Sequence, residues 1–476
     1  MPLVGLAPTA DHRFNLYWHG GLFRDDPLRI VPHTLASVHG YLTLGNFRPL
    51  GRMLEKSLDL AAYALSDVFS VPVTITFRLV SFTGAILLTV AAVLLTDSVA
   101  APGRLFGRPP STLAAVVPFA VGGGFVAAGS ASPAILFGGL YLTSAALVLG
   151  VAAALCRLHR PIRWWQAVAL ITAGAALASF NEIVYLALPL ATVAVVVRRR
   201  LHPGNRSAVA VRGIVFAWCG FLPVFVAVRL VIRGYCAAGA CYRGSDLALG
   251  PDVAAAVPVR MVAWLPPLMW RSATQGGDRA WPAGAVTLLA ALALGLLAWR
   301  TVRDLPRLAT LHPRQAYGVA VVALAALVLG ATLGSLNADV QHVVAQHRWG
   351  QGWRDTALTA AAGAVLLAAV LHGLARRRPV AVLLLFVLVA TMSTAANKSY
   401  RDQLATREPA RLANRVALEM ADFDRTPAGD ARRCALRAEF RTLYADSAFS
   451  LKRFDESLDV AARQQAGVDF CSREGS

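Results

Sequence analysis

The stretch "GLFRDDPLRI" at 21–30 sets Asp25 and Asp26 side by side between Arg24 and Arg29. One such carboxylate can act as a general base toward an acceptor hydroxyl while arginines hold a phosphate through charge-assisted hydrogen bonds. A solvated loop with local ion pairs is the plain alternative for these four residues. Other residues tilt the balance. Glu182, in "SFNEIVYLALPLA", stands between two apolar runs, where a carboxylate near the bilayer is costly and tends to be functional. Arg229 and Arg233 close another apolar run, Arg78 lies near the start of the first, and Arg48 sits in "NFRPLGR". The 337–354 stretch adds His342, His347, Arg348, Trp349, Trp353 and Arg354. Carboxylates, arginines and aromatics on one face would suit an anionic lipid headgroup and a polar acceptor. In this assignment Asp25 or Asp26 is the base and Glu182 positions the acceptor. Arg48, Arg78, Arg229, Arg233 and Arg354 bind phosphate.

The elements that must position these residues are apolar helices. The chain of 476 residues is 56% hydrophobic and only 15% charged, with a mean hydropathy of +0.54. Soluble domains run near a quarter charged. The expected fold is an all-α polytopic membrane protein, with runs near the ~20 residues a helix needs to cross a bilayer. About ten spans are expected, near 72–95, 112–129, 132–156, 165–180, 183–197, 212–232, 283–299, 316–336, 355–374 and 379–396. The short pair 165–197 also fits a bent hairpin, provided protein or a water-filled cavity surrounds its apex. Three regions follow: an N-terminal loop at 1–71, a transmembrane domain at 72–396 and a helical tail at 397–476.

Orientation follows from the arginines. The compact basic clusters 157–163, 198–206, 300–307 and 376–378 belong on the cytoplasmic side. Segments 1–71, 179–183, 233–282, 337–354 and the tail then fall outside the cytoplasm. Cys236, Cys241, Cys434 and Cys471 all lie in those outer segments, as two local pairs, which fits two disulfides in an oxidising compartment. Cys156 and Cys219 lie in or beside apolar runs and read as packing residues. The net charge of +19 comes from clusters at helix ends, so no nucleic-acid partner is expected. The cationic residues are nearly all Arg, with Lys only at 56, 398 and 452, which with abundant Ala, Val and Gly suggests a bacterial membrane protein.

The N-terminal loop carries Phe14, Tyr17, Trp18, Phe23, Tyr41 and Phe47, too many aromatics for a disordered arm. "PHTLASVHGYL" and "FRPLGRMLEKSLDLAAYAL" have apolar residues near helical spacing and are expected as amphipathic helices on the membrane surface. "MPLVGLAPTADHRF" lacks the basic and apolar regions of a signal peptide. A further helix ahead of Met1 is therefore expected in the natural protein, bringing ten spans to eleven.

The order Phe23-Arg24-Asp25-Asp26, Phe47-Arg48-Pro49-Leu50, Asn181-Glu182 and Leu188-Pro189 resembles the GT-C superfamily of membrane glycosyltransferases. That superfamily includes the protein O-mannosyltransferases and the mannosyltransferases with tetratricopeptide repeats. The resemblance covers the first 200 residues in motif terms and the rest in layout. It implies sugar transfer from a polyprenyl-phosphate donor to an acceptor hydroxyl at the outer face, with a first-loop Asp as base and inversion at the anomeric carbon. The acceptor would be a protein, a cell-wall polymer or a lipid. Certain relatives place a divalent cation on acidic residues; no ligand spacing here demands one.

Other features have simpler readings. "VGGGF" at 121–125 lacks the Lys-Ser/Thr of a phosphate loop and suits close helix packing. His342 and His347 lack further ligands for a metal. "DSAFSLKRFDESLDVA" resembles part of a tetratricopeptide repeat, but a single unit cannot bury its own face, so a disulfide-stapled cap is expected. The main rival function is a transporter or flippase of lipid-linked saccharides. Transporters gather polar features near the midplane and often show inverted repeats, whereas these residues collect at one face. A lipid-linked carbohydrate polymerase or ligase and a non-catalytic scaffold are the other two.

Overall fold

The computed structural model describes residues 2–9, 12–101, 111–203, 206–239, 241, 249–274, 284–375 and 378–472. Among them the chain is all-helical, and the one bridge, Ser111 to Ala309, is isolated. A first group of helices forms a ledge: α1 (His12–Phe23), α2 (Ile30–Ala36), α3 (Val38–Thr43) and α4 (Pro49–Phe69). The bundle follows, with α5 (Val73–Ala100), α6 (Thr112–Gly123), α7 (Leu140–Cys156), α8 (Trp164–Ala178), α9 (Ala187–Leu201) and α10 (Arg206–Ala237). It continues through α11 (Pro251–Ala263), α12 (Pro266–Thr274), α13 (Ala285–Asp304), α14 (Pro313–Ser335), α15 (Ala338–Ala345), α16 (Thr356–Leu374) and α17 (Pro379–Ala405). The tail holds α18 (Glu408–Ala421), α19 (Pro427–Leu443) and α20 (Ala448–Ala466).

Among the described residues seven helices are long and apolar enough to cross a membrane, α5, α7, α10, α13, α14, α16 and α17, or eight counting a bent pair. Three expected spans are shorter than a crossing needs: α6 has 12 residues, α8 and α9 have 15 each. The bent pair is α11 and α12, turned by 93° within the stretch expected to be an outer loop. Proline explains the break, because Pro266 opens α12 with its fixed φ and cannot donate a bond back into α11. Of the basic clusters, Gly204, Asn205, Arg376 and Arg377 lie outside the described residues, as do 240, 242–248 and 275–282 of the long loop.

Apolar side chains cover the outside as well as the core. Leu288, Leu289, Leu292 and Leu296 of α13 and Leu222, Val226 and Leu230 of α10 are exposed, a distribution suited to lipid rather than water. Inside, small residues let helices approach closely. A Cβ on Gly174 of α8 would overlap the Ala217 carbonyl of α10, and one on Gly220 of α10 would overlap the Ile171 carbonyl of α8.

The ledge and tail share a second core. Phe14, Tyr17, Tyr63 and Phe77 pack with Leu412, Phe440, Phe454 and Phe470. The ends of the chain thus build one cap over one end of the bundle. Both expected disulfides are present, Cys236–Cys241 and Cys434–Cys471, while Cys156 and Cys219 are free.

Candidate functional site

The site begins with α4, whose polar face turns inward. Arg48, its N-cap, is followed by Arg52, the adjacent Glu55 and Lys56, Asp59 and Tyr63, which recur every three or four residues and so line one side of the helix. Glu55, Lys56, Asp59 and Tyr63 are buried, while Leu65, Val68 and Phe69 are exposed. The amphipathic helix expected from the sequence is present with its ionic face against protein.

Burial of that face requires partners. Arg52 Nη1 donates to Glu55 Oε2 at 2.9 Å, and Lys56 Nζ lies 2.9 Å from both Thr34 Oγ1 and His33 Nδ1. Asp59 lies 2.7 Å from His19 Nδ1 and 3.6 Å from His12 Nδ1. Desolvation raises the Asp59 pKa, but hydrogen bonding and the charge of His12 and His19 outweigh it, and the carboxyl stays below its usual range. Desolvation likewise opposes ionisation of Glu55, and Arg52, His12 and Arg48 reverse the balance.

The start of α4 docks on the loop between α8 and α9. Leu50 N donates to Ser179 O at 3.1 Å, and Gly51 is needed there because a Cβ would meet the Phe180 carbonyl at 2.7 Å. The loop is pinned in turn to α7: Asn181 Nδ2 donates to Ser144 Oγ at 2.7 Å, and Asn181 Oδ1 caps Val184 N. These contacts set Arg48 Nη1 3.9 Å from Glu182 Oε2. Arg48 is buried, whereas the Glu182 side chain keeps 39% of its exposure.

Two more arginines face the same carboxylate. Arg229 of α10 lies over the Tyr185 and Phe225 rings at 5.3 and 5.4 Å. Arg354 lies over Tyr141 at 5.8 Å and Trp353 at 5.7 Å. The surrounding protein desolvates Glu182, which raises its pKa, but Arg48, Arg354 and Arg229 together hold it below the ordinary carboxylate value. An ionised Glu182 facing three guanidinium groups leaves an excess of positive charge, the electrostatics of an anion site.

Arg354 owes its place to a neighbour. The buried Arg260 of α11 grips the buried Asp355 with bonds of 2.7, 2.9 and 3.1 Å, and also donates to Gln351 O and Thr356 Oγ1. The bent α11–α12 pair therefore fixes the chain that enters α16 and carries Arg354.

The other sequence candidates go elsewhere. Asp25 and Asp26 are exposed; Asp25 accepts from Gln464 Nε2 of α20 at 3.0 Å, and Arg24 pairs with Asp67 at 3.0 Å. Gln464 also meets the Tyr63 hydroxyl, so the acidic pair lies toward the C-terminal half of α4. Pro49 to Tyr63 spans about 21 Å at 1.5 Å per residue, and the structure does not bring the pair to Glu182. Arg78 is buried and donates to Leu6 O, Ala7 O and Ile135 O at 3.0, 3.1 and 2.7 Å, so its guanidinium ties the N-terminal segment to the bundle. Arg233 is exposed one turn beyond Arg229, and His342, His347, Arg348 and Trp349 are exposed as well.

Sequence reasoning passed over Glu55, Asp59, His12, His19, Arg260 and Tyr141. The α4 residues had a signal, charges at helical spacing along one face, and Arg260 had one as a lone charge in an apolar run. Tyr141 had none. Among the described residues no three of His, Cys, Asp and Glu are arranged to hold a metal ion, and the three arginines beside Glu182 oppose a divalent cation there. No protein-family model matches the chain, and comparison with curated proteins and with solved structures gives no match.

Proposed function

We propose that the chain transfers a sugar from a polyprenyl-phosphate donor to an acceptor hydroxyl. The observation that carries this reading is the cluster of Arg48, Arg229 and Arg354 around Glu182 at the capped end of a membrane bundle. A cavity of about 530 Å³ supports a lipid substrate. Apolar residues of α5 and α13, including Phe82, Ile86, Leu294 and Leu297, line much of it, and α17 adds the polar Ser393, Thr394 and Asn397. The first turn of α7 links the two features, since Tyr141 faces Arg354 and Leu142 lines the cavity.

The arginines stabilise the phosphate as it leaves. The acceptor oxygen bonds to the anomeric carbon, the bond from that carbon to the phosphate oxygen breaks with its electron pair, and the acceptor proton passes to a carboxylate. A single displacement inverts the anomeric centre. Glu182 is the carboxylate within the cluster and the first choice of base. Asp25 and Asp26, on the ledge, are the alternative base in this reading.

The test uses the full-length protein in proteoliposomes with polyprenyl-phosphate sugars and a crude envelope acceptor fraction. Glu182→Gln is expected to lose transfer by orders of magnitude. Loss in Asp25→Asn or Asp26→Asn instead would return the base to the ledge. Wild-type transfer undiminished in all three variants would sink the carboxylate mechanism.

A further inference from the structure

Tyr141 stands in the first turn of α7 and is 1% exposed. Its ring packs edge-on against Phe137 at 5.2 Å, and the Arg354 guanidinium lies 5.8 Å from its centroid. The hydroxyl lies within electrostatic reach of Arg354, Arg48, Glu182 and Glu55, the charged groups of the anion site. Among the described residues that hydroxyl has no hydrogen-bond partner. Ser144 on the same helix is satisfied: it donates to Leu140 O and accepts from Asn181.

An unpaired buried hydroxyl is a net cost to folding, and a phenylalanine would fill the same space without it. A donor held unpaired among arginines is suited to a ligand that brings the acceptor. We propose that Tyr141 is a ligand-contacting residue of this site, its hydroxyl donating to a phosphate oxygen drawn in by Arg48, Arg229 and Arg354. The inference rests on the anion-site part of the reading above and does not require that transfer be the reaction. A neutral donor adds direction where the arginines add charge, so the phenol favours a tetrahedral phosphate oxygen in one position over a diffuse counterion.

The experiment measures binding and stability together on the full chain in detergent, with farnesyl phosphate and inorganic phosphate as separate probes. Tyr141→Phe is expected to weaken farnesyl phosphate binding roughly tenfold, as the loss of one hydrogen bond to a charged group does. The melting temperature of the ligand-free variant should equal or exceed that of the wild type. Tyr141→Leu, which also removes the ring under Arg354, should weaken binding further. Inorganic phosphate bound as tightly as farnesyl phosphate would identify the free anion as the ligand of the same contact. Unchanged binding in Tyr141→Phe, or a lower melting temperature with binding intact, would make Tyr141 a packing residue and overturn the proposal. A wild type that binds neither probe would overturn the anion site itself, a failure distinct from that of Tyr141 alone.

Discussion

Arg48 and Glu182, 134 positions apart in the chain, lie 3.9 Å apart where the N-terminus of α4 meets the loop between α8 and α9. The pair is unequal, since Arg48 is buried and Glu182 is partly exposed. Removing either charge should shift phosphate affinity in opposite senses. Arg48→Gln is expected to weaken polyprenyl phosphate binding roughly tenfold, the order of one charged hydrogen bond. Glu182→Gln should strengthen it several-fold, because Arg354 and Arg229 then face the ligand without a competing carboxylate. Equilibrium binding on the two variants checks both signs.

The Arg260–Asp355 pair is nearly inaccessible on both sides, at 2% and 1% exposure. Deleting one partner leaves an uncompensated buried charge. Arg260→Gln or Asp355→Asn should therefore cost about 3–5 kcal/mol of stability. Both should also weaken phosphate binding through Arg354. Thermal melts with binding on the same samples test this, and a melt unchanged by Asp355→Asn would show that the pair is not needed.

Lys56 gives a pH signature. Desolvation lowers its pKa; nearby Glu55 raises it and Arg52 lowers it, leaving a value of about 8 against the ordinary 10.5. The folded protein then binds fewer protons than the unfolded chain between those values. Stability should climb as pH rises from about 8 and be flat below it on this account. Tyr17 and Tyr63, raised by burial, act in the opposite sense above their ordinary pKa, so the scan ends near pH 9.5. Melting temperature against pH should rise for the wild type relative to Lys56→Gln. Parallel curves would refute the shift.

The two disulfides should differ in weight. Cys434–Cys471 closes 37 residues and Cys236–Cys241 closes 5. Loop-closure entropy gives about 4 kcal/mol for the first and about 2 kcal/mol for the second. Cys434→Ser with Cys471→Ser should loosen the tail that packs on α1, and limited proteolysis of the cap would report it. Equal protease resistance in wild type and variant would count against that role.

Much of the architecture was legible in the amino-acid order. Long apolar runs can satisfy their backbone only as helices in a bilayer, which made an all-helical bundle readable without partners. Both cysteine pairs were readable because each lies within one compact segment. The site was half legible. Glu182, Arg229 and Arg354 stood out as charges at the borders of apolar runs and Arg48 within "NFRPLGR", and these four do converge. Asp25 and Asp26 stood out as adjacent carboxylates between two arginines, yet a helix of fixed rise separates them from Glu182.

By its sequence alone this chain determined its helices, its apolar exterior and the residue types available for an anion site. Tertiary structure decided which way α4 turned its charges and that Arg78 would bond to three backbone carbonyls. It also decided that an Arg260–Asp355 clamp would set Arg354 beside Tyr141. Helix formation depends on local periodicity, which one segment displays by itself. Burial of a charge depends on whether distant segments supply its counter-charges and hydrogen bonds, and only the packed molecule brings those together.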